Sequence, residues 1–111
     1  MFPLLAKLLL GVLIGGAIYV LTKDKIKNTV KEKVKESKDK NIIDDAVKAK
    51  IKEKLKKGET TRLEDLKDYD ENKEAIVVDV LSKRNKALAQ VTIFADKIND
   101  DVSVGDIILL N

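Results

Sequence analysis

The pattern of apolar positions changes texture three times along the chain. From Phe2 to Thr22 the sequence FPLLAKLLLGVLIGGAIYVLT is almost unbroken apolar residue types. A helix of ~20 residues, rising 1.5 Å per residue, crosses a hydrocarbon layer of ~30 Å. The pattern therefore predicts one N-terminal transmembrane helix over residues 2–22. Pro3 suits its first turn. Lys7 can snorkel to the interface, and Tyr19 suits the headgroup level at the far end. A cleaved signal peptide is the competing expectation, but the run exceeds the usual ~7–15-residue apolar region of such leaders.

From Lys23 to Lys57 the apolar positions thin out to Ile26, Val30, Val34, then Ile43, Val47, Ile51 and Leu55. Each set steps by four, the spacing of a narrow helical stripe. Lys, Glu and Ala dominate, and Pro and Gly are absent until Gly58. A helical stalk over 23–58 is expected, interrupted at Ser37–Asn41, where Asp39 or Asn41 caps a second helix. Gly58 is then its C-terminal stop.

Beyond Gly58, Thr61-Arg-Leu-Glu64 has the form of a capping box and predicts a short helix to about Asp68. An acidic connector follows, giving a segment over 59–74. From Ala75 the residue types turn β-branched. AIVVDVL at 75–81, ALAQVTIFA at 87–95 and IILL at 107–110 read as strands separated by polar turns. Residues 75–111 are expected to form a small antiparallel β module of about three strands. Ile76, Val78 and Val80 alternate with apolar Val77 and Leu81, and Ile107 and Leu109 with Ile108 and Leu110. An antiparallel sheet with one face in water should instead alternate apolar with polar. The expectation is that Ile76, Val78, Val80, Ile107, Ile108, Leu109 and Leu110 meet another protein or further copies of the chain.

Charge sharpens the division. Residues 23–57 carry 14 Lys against 7 acids, whereas residues 58–111 carry 7 basic and 12 acidic side chains. Lys23, Lys25, Lys27, Lys31, Lys33 and Lys35 directly follow the apolar run. They are candidates for contact with anionic headgroups, at ~1 kcal/mol per cation near a membrane surface. By the positive-inside rule they place the C-terminal portion on the cytoplasmic or interior side, with the N-terminus outside. Gly11 and Gly15 form a GxxxG, which lets two membrane helices approach closely.

Candidate chemistry is sparse. The 111 residues include no Cys and no His, which removes thiol nucleophiles, histidine bases and nearly every zinc site. Asp68-Tyr-Asp70-Glu-Asn72 has the alternation of a calcium loop's start. Lys73 stands where that loop needs Gly, and Asp79 where it needs Glu. Ser82 and Ser103 lack a nucleophile-elbow or Ser-x-x-Lys context. No enzyme and no cofactor is expected. Aromatic residues are 4% and Trp is absent, so base stacking is disfavoured.

Over Gly11 to Lys57, a Gly-rich apolar run followed by a Lys/Glu-rich segment, the composition resembles the YtxH-like small membrane proteins. Beyond Gly58 the chain departs from them, and no function is carried over. Together these patterns predict a membrane-anchored α+β protein: one transmembrane helix, a basic helical stalk and a small β module. The role expected is a non-enzymatic single-pass anchor or adaptor, such as a structural protein joining an internal membrane to a virion shell. The alternative is a membrane-tethered nucleic-acid binder using the Lys-rich segment.

Overall fold

The computed structural model describes residues 19–66 and 69–110. The chain enters as β1 (Val20–Leu21), which pairs in parallel with the later β5 (Lys97–Ile98). Thr22 has extended backbone, and its hydroxyl accepts from the Lys25 amide at 3.3 Å, capping α1 (Lys23–Glu36). Asp24 lies in the favourable first turn. The i, i+4 stripe Ile26, Val30, Val34 is the buried face of α1. The helix ends where Ser37 donates its hydroxyl to the Val34 carbonyl and Lys38 enters the left-handed region at φ 58°. Asp39 then caps α2 (Lys40–Asp45) through the Asn41 amide at 3.0 Å.

Next comes β2 (Lys48–Leu55), then a 3-10 turn at Glu59–Leu63, β3 (Glu74–Leu81) and β4 (Ala87–Ala95). After β5 the chain ends its regular structure with β6 (Ile107–Leu109). The main sheet is antiparallel, in the order β4-β3-β2-β6. Helix α1 packs against β4 and β6, the two outermost strands, and so lies across the sheet's inner face. One core cluster joins Leu21, the α1 stripe, Ala49 and Ile51 of β2, Ile76, Val78 and Val80 of β3, and Val91 and Ile93 of β4. Ile108 and Leu110 complete it from the C-terminal side. A second, smaller cluster on the opposite face gathers Leu55, Ala75 and Phe94 under Leu63 and Tyr69. There Tyr69 meets Phe94 edge-on, with ring centroids 6.2 Å apart.

Three expectations are corrected here. The first is the transmembrane helix over 2–22, with the single-pass membrane placement derived from it. Among the described residues, no helix is long and apolar enough to cross a membrane. Its expected end is instead a strand and a helix cap, and Leu21 is fully buried in the protein core. Residues 1–18, including Pro3, Lys7, Gly11 and Gly15, lie outside the described residues. The topology read from the Lys-rich flank depended on that span and goes with it.

The second correction is the basic helical stalk. Only 23–36 and 40–45 are helical, and α1 is packed on the sheet. Residues 48–55, KAKIKEKL, form an interior strand paired on both sides, by β3 and β6. The apolar positions of the strand and of Val47 just before it fit two periods at once: Val47, Ile51 and Leu55 step by four, while Ala49, Ile51 and Lys alternate by two. Strand pairing on both sides resolves the ambiguity, overriding the helical propensity of Lys, Glu and Ala. A bulge between Ile51 and Glu53 then turns Leu55 to the opposite face.

The third is the isolated three-strand module. Among the described residues the sheet has four strands, because β2 comes from the expected stalk and β6 joins β2 rather than β4. Both faces of β3 carry buried apolar side chains: Ile76, Val78 and Val80 in the cluster with α1, and on the other face Ala75, under Leu63 and Tyr69, with Val77 and Leu81 also buried. The short helix expected to Asp68 is a 3-10 turn ending at Leu63, and residues 67 and 68 lie outside the described residues.

Candidate interaction surface

The strand register sorts the expected contact residues into two groups. Ile76, Val78 and Val80 are fully buried, and Ile108 and Leu110 nearly so. They meet one another in the core rather than at a surface. Ile107 and Leu109 lie on the other face and are 54% and 64% exposed. They flank Lys50 and Lys48, their direct cross-strand partners on β2. One strand further in, Lys50 faces Asp79, which accepts a hydrogen bond from Gln90 at 2.9 Å. The open part of the sheet thus presents two exposed aliphatic side chains beside two lysine stems and a polar pair.

Main-chain geometry makes β6 more than an apolar patch. The Leu110 amide donates to the Val47 carbonyl at 3.0 Å, and the Ile51 amide to the Asp106 carbonyl at 2.9 Å. With Ala49 opposite Ile108, the hydrogen-bonded pairs fall at residues 106, 108 and 110. In an antiparallel ladder the intervening residues point their N–H and C=O groups away from the partner. Ile107 and Leu109 therefore direct their main-chain groups outward. Among the described residues β6 pairs with β2 alone. β6 is an outermost strand, and it carries exposed large apolar side chains; β4, the other outermost strand, carries none.

The turn leading into β6 is held firmly. Gly105 takes φ 96° and donates to the Ile51 carbonyl at 2.8 Å. The Asp106 carboxylate accepts the Ser103 amide at 2.8 Å and pairs with Lys23 at 3.3 Å. The Ser103 amide first, and then Lys23, hold its carboxyl below the ordinary carboxylate range despite partial burial. The same Lys23 contact ties the start of α1 to the start of β6.

The six lysines proposed for headgroup contact all lie on α1. Lys23 pairs with Asp106, Lys25 donates to the Val20 carbonyl at 3.0 Å, and Lys33 pairs with Glu36 at 3.1 Å. Several thus act within the fold. A second cationic group stands where the sequence reads only as a polar turn: Lys83, Arg84 and Lys86 between β3 and β4, with Lys48 bonded to Asn85 of the same turn. Its signal is a run of three cations in four residues, joined to Lys48 only by folding. Elsewhere Lys73 pairs with Asp96 at 2.8 Å, which holds its ammonium above the usual lysine range, and Arg62 pairs with Glu53. Asp70 caps its own turn by accepting the Asn72 amide at 2.9 Å. Among the described residues, no three acidic side chains converge as they would around a metal ion.

Comparison with known protein families, with characterised proteins and with solved structures finds no match to this chain.

Proposed function

We propose that this chain is a non-enzymatic protein-binding module that docks through the β6 edge. The observation that carries the reading is the pair Ile107 and Leu109, exposed side chains on an outermost strand whose main-chain groups face outward. Such an edge binds by strand addition: main-chain hydrogen bonds supply affinity, and alternate side chains supply selectivity. An exposed apolar edge left open is also an aggregation hazard, which favours a physiological occupant. Site-specific photo-cross-linking in the producing cells tests this. A photoreactive residue at 109 should give protein adducts, and one at the exposed Glu36 on α1 should not. Equal yields at both positions would overturn the reading.

A second reading rests on Lys48, Lys83, Arg84 and Lys86, gathered at one end of the sheet. This cluster offers phosphate contacts to nucleic acid without base recognition. Binding through four such contacts would weaken steeply as salt rises. An apolar strand contact would not.

A further inference from the structure

We infer that the occupant of the β6 edge is a second copy of this chain, joined by antiparallel two-fold pairing of β6 with β6 centred on Ile108. The inference deepens the protein-binding reading and rests on it.

The argument comes from which groups point outward. A two-fold axis at Ile108 places Ile107 opposite Leu109 of the second copy, and Leu109 opposite its Ile107. Residues 107 and 109 are the ones whose N–H and C=O groups face away from β2. That register therefore satisfies every outward group of the strand with two reciprocal hydrogen-bonded pairs. A shift by one residue would instead oppose them to groups already committed to β2. The side chains agree with the main chain. Ile107 and Leu109 share one face, so the pairing buries four aliphatic side chains against one another. Lys48 and Lys50 stand one strand inward on each side, so no lysines are brought face to face. The interface is isologous, the commonest form of dimer contact, and it extends the sheet to eight strands. A contact of one strand per partner falls below the ~1,200 Å² of standard interfaces, so the dimer belongs to the weak, concentration-dependent class.

The test uses the full-length chain, by sedimentation equilibrium and amide exchange over a range of concentrations. Exchange at the Ile107 and Leu109 amides should slow as concentration rises, while Ile108 and Leu110, already bonded to β2, change little. Leu109→Pro removes an outward N–H from each copy and leaves the β2 ladder intact. Losing two of four bonds should weaken association by about one to two orders of magnitude. Charge swaps then fix the register. Ile107→Lys with Leu109→Lys should be monomeric. Ile107→Lys with Leu109→Glu should dimerise, because each lysine then faces a glutamate. A chain that stays monomeric at all concentrations overturns the inference. So does protection at 107 and 109 that ignores concentration, or a doubly lysine-substituted chain that associates like the parent. If cross-links at 109 capture a different protein while the purified chain stays monomeric, the self-pairing fails and the protein-binding reading stands. If no adducts form, both fail.

Discussion

At the scale of single residues, the turn before β6 concentrates the local chemistry. Gly105 sits at φ 96°, a region where an L side chain is strained, although there is open space for a Cβ. The cost of Gly105→Ala is therefore conformational, about 1–2 kcal/mol, and should appear as a lowered denaturation midpoint with unchanged slope. Beside it, Asp106 is held below the ordinary carboxylate range by the Ser103 amide and Lys23. A carboxyl depressed on folding stabilises the protein above its unfolded value of ~3.9, and that contribution disappears as pH falls through the lowered native value. Asp106→Asn should consequently destabilise the protein at neutral pH and flatten the acid limb of stability against pH. A carboxyl resonance of Asp106 that titrates at the ordinary value would contradict this. Ion pairs such as Arg62–Glu53 are exposed on both sides and contribute little, as surface pairs generally do.

At the scale of elements, α1 shows how much a narrow stripe can do. Ile26, Val30 and Val34 are buried against the sheet, while its lysines remain on the flanks. Ile26→Ala should cost about 2–5 kcal/mol, the range for truncating a fully buried aliphatic side chain. Lys31→Ala, on the same helix and away from the core, should stay within ~0.5 kcal/mol. Thermal denaturation of both variants separates a packed helix from a free stalk, for which the two changes would be equally mild. β2 depends on its neighbours more heavily than on its residues. Its lysines and glutamate favour helix in isolation. The ladder to β3 on one side and β6 on the other converts the segment to strand.

At the scale of the whole molecule, the core crosses the boundaries that charge and composition suggest. The main cluster takes side chains from Leu21 through Leu110. A fragment of residues 59–111 lacks both β2, which lies between β3 and β6, and α1, which covers Ile76, Val78 and Val80. It should be unfolded or aggregated, with amides of β3 and β4 unprotected. Cooperative protection of those amides in the fragment would show that β3 and β4 are stable without the central strand.

Residue types along the chain determined the strand segments near 75–81, 87–95 and 107–110, the apolar stripe of α1 and a helix cap at Asp39 or Asn41, which the structure assigns to Asp39. Each rests on a local cause: β-branching, i, i+4 spacing, or a side-chain acceptor beside a free amide. Ile107 and Leu109 were legible as candidate contacts for the same reason. Their separation from Ile76, Val78, Val80, Ile108 and Leu110 was not, because apolar residues on both sides of a strand do not say which side the chain itself will cover. Only the tertiary structure decided that. It also decided that Ile51 and Leu55 belong to a strand, which Val47 directly precedes, since a four-residue step and a two-residue step coincide there and only pairing partners break the tie. Val20 and Leu21 follow the same logic: apolar residues end a membrane helix or pair with β5 equally well by composition, and the contact with Lys97 and Ile98, 77 positions away along the chain, selected the strand. Long-range pairing carries no local signature, so the joining of β6 to β2, and with it the outward-facing edge, had to come from the fold.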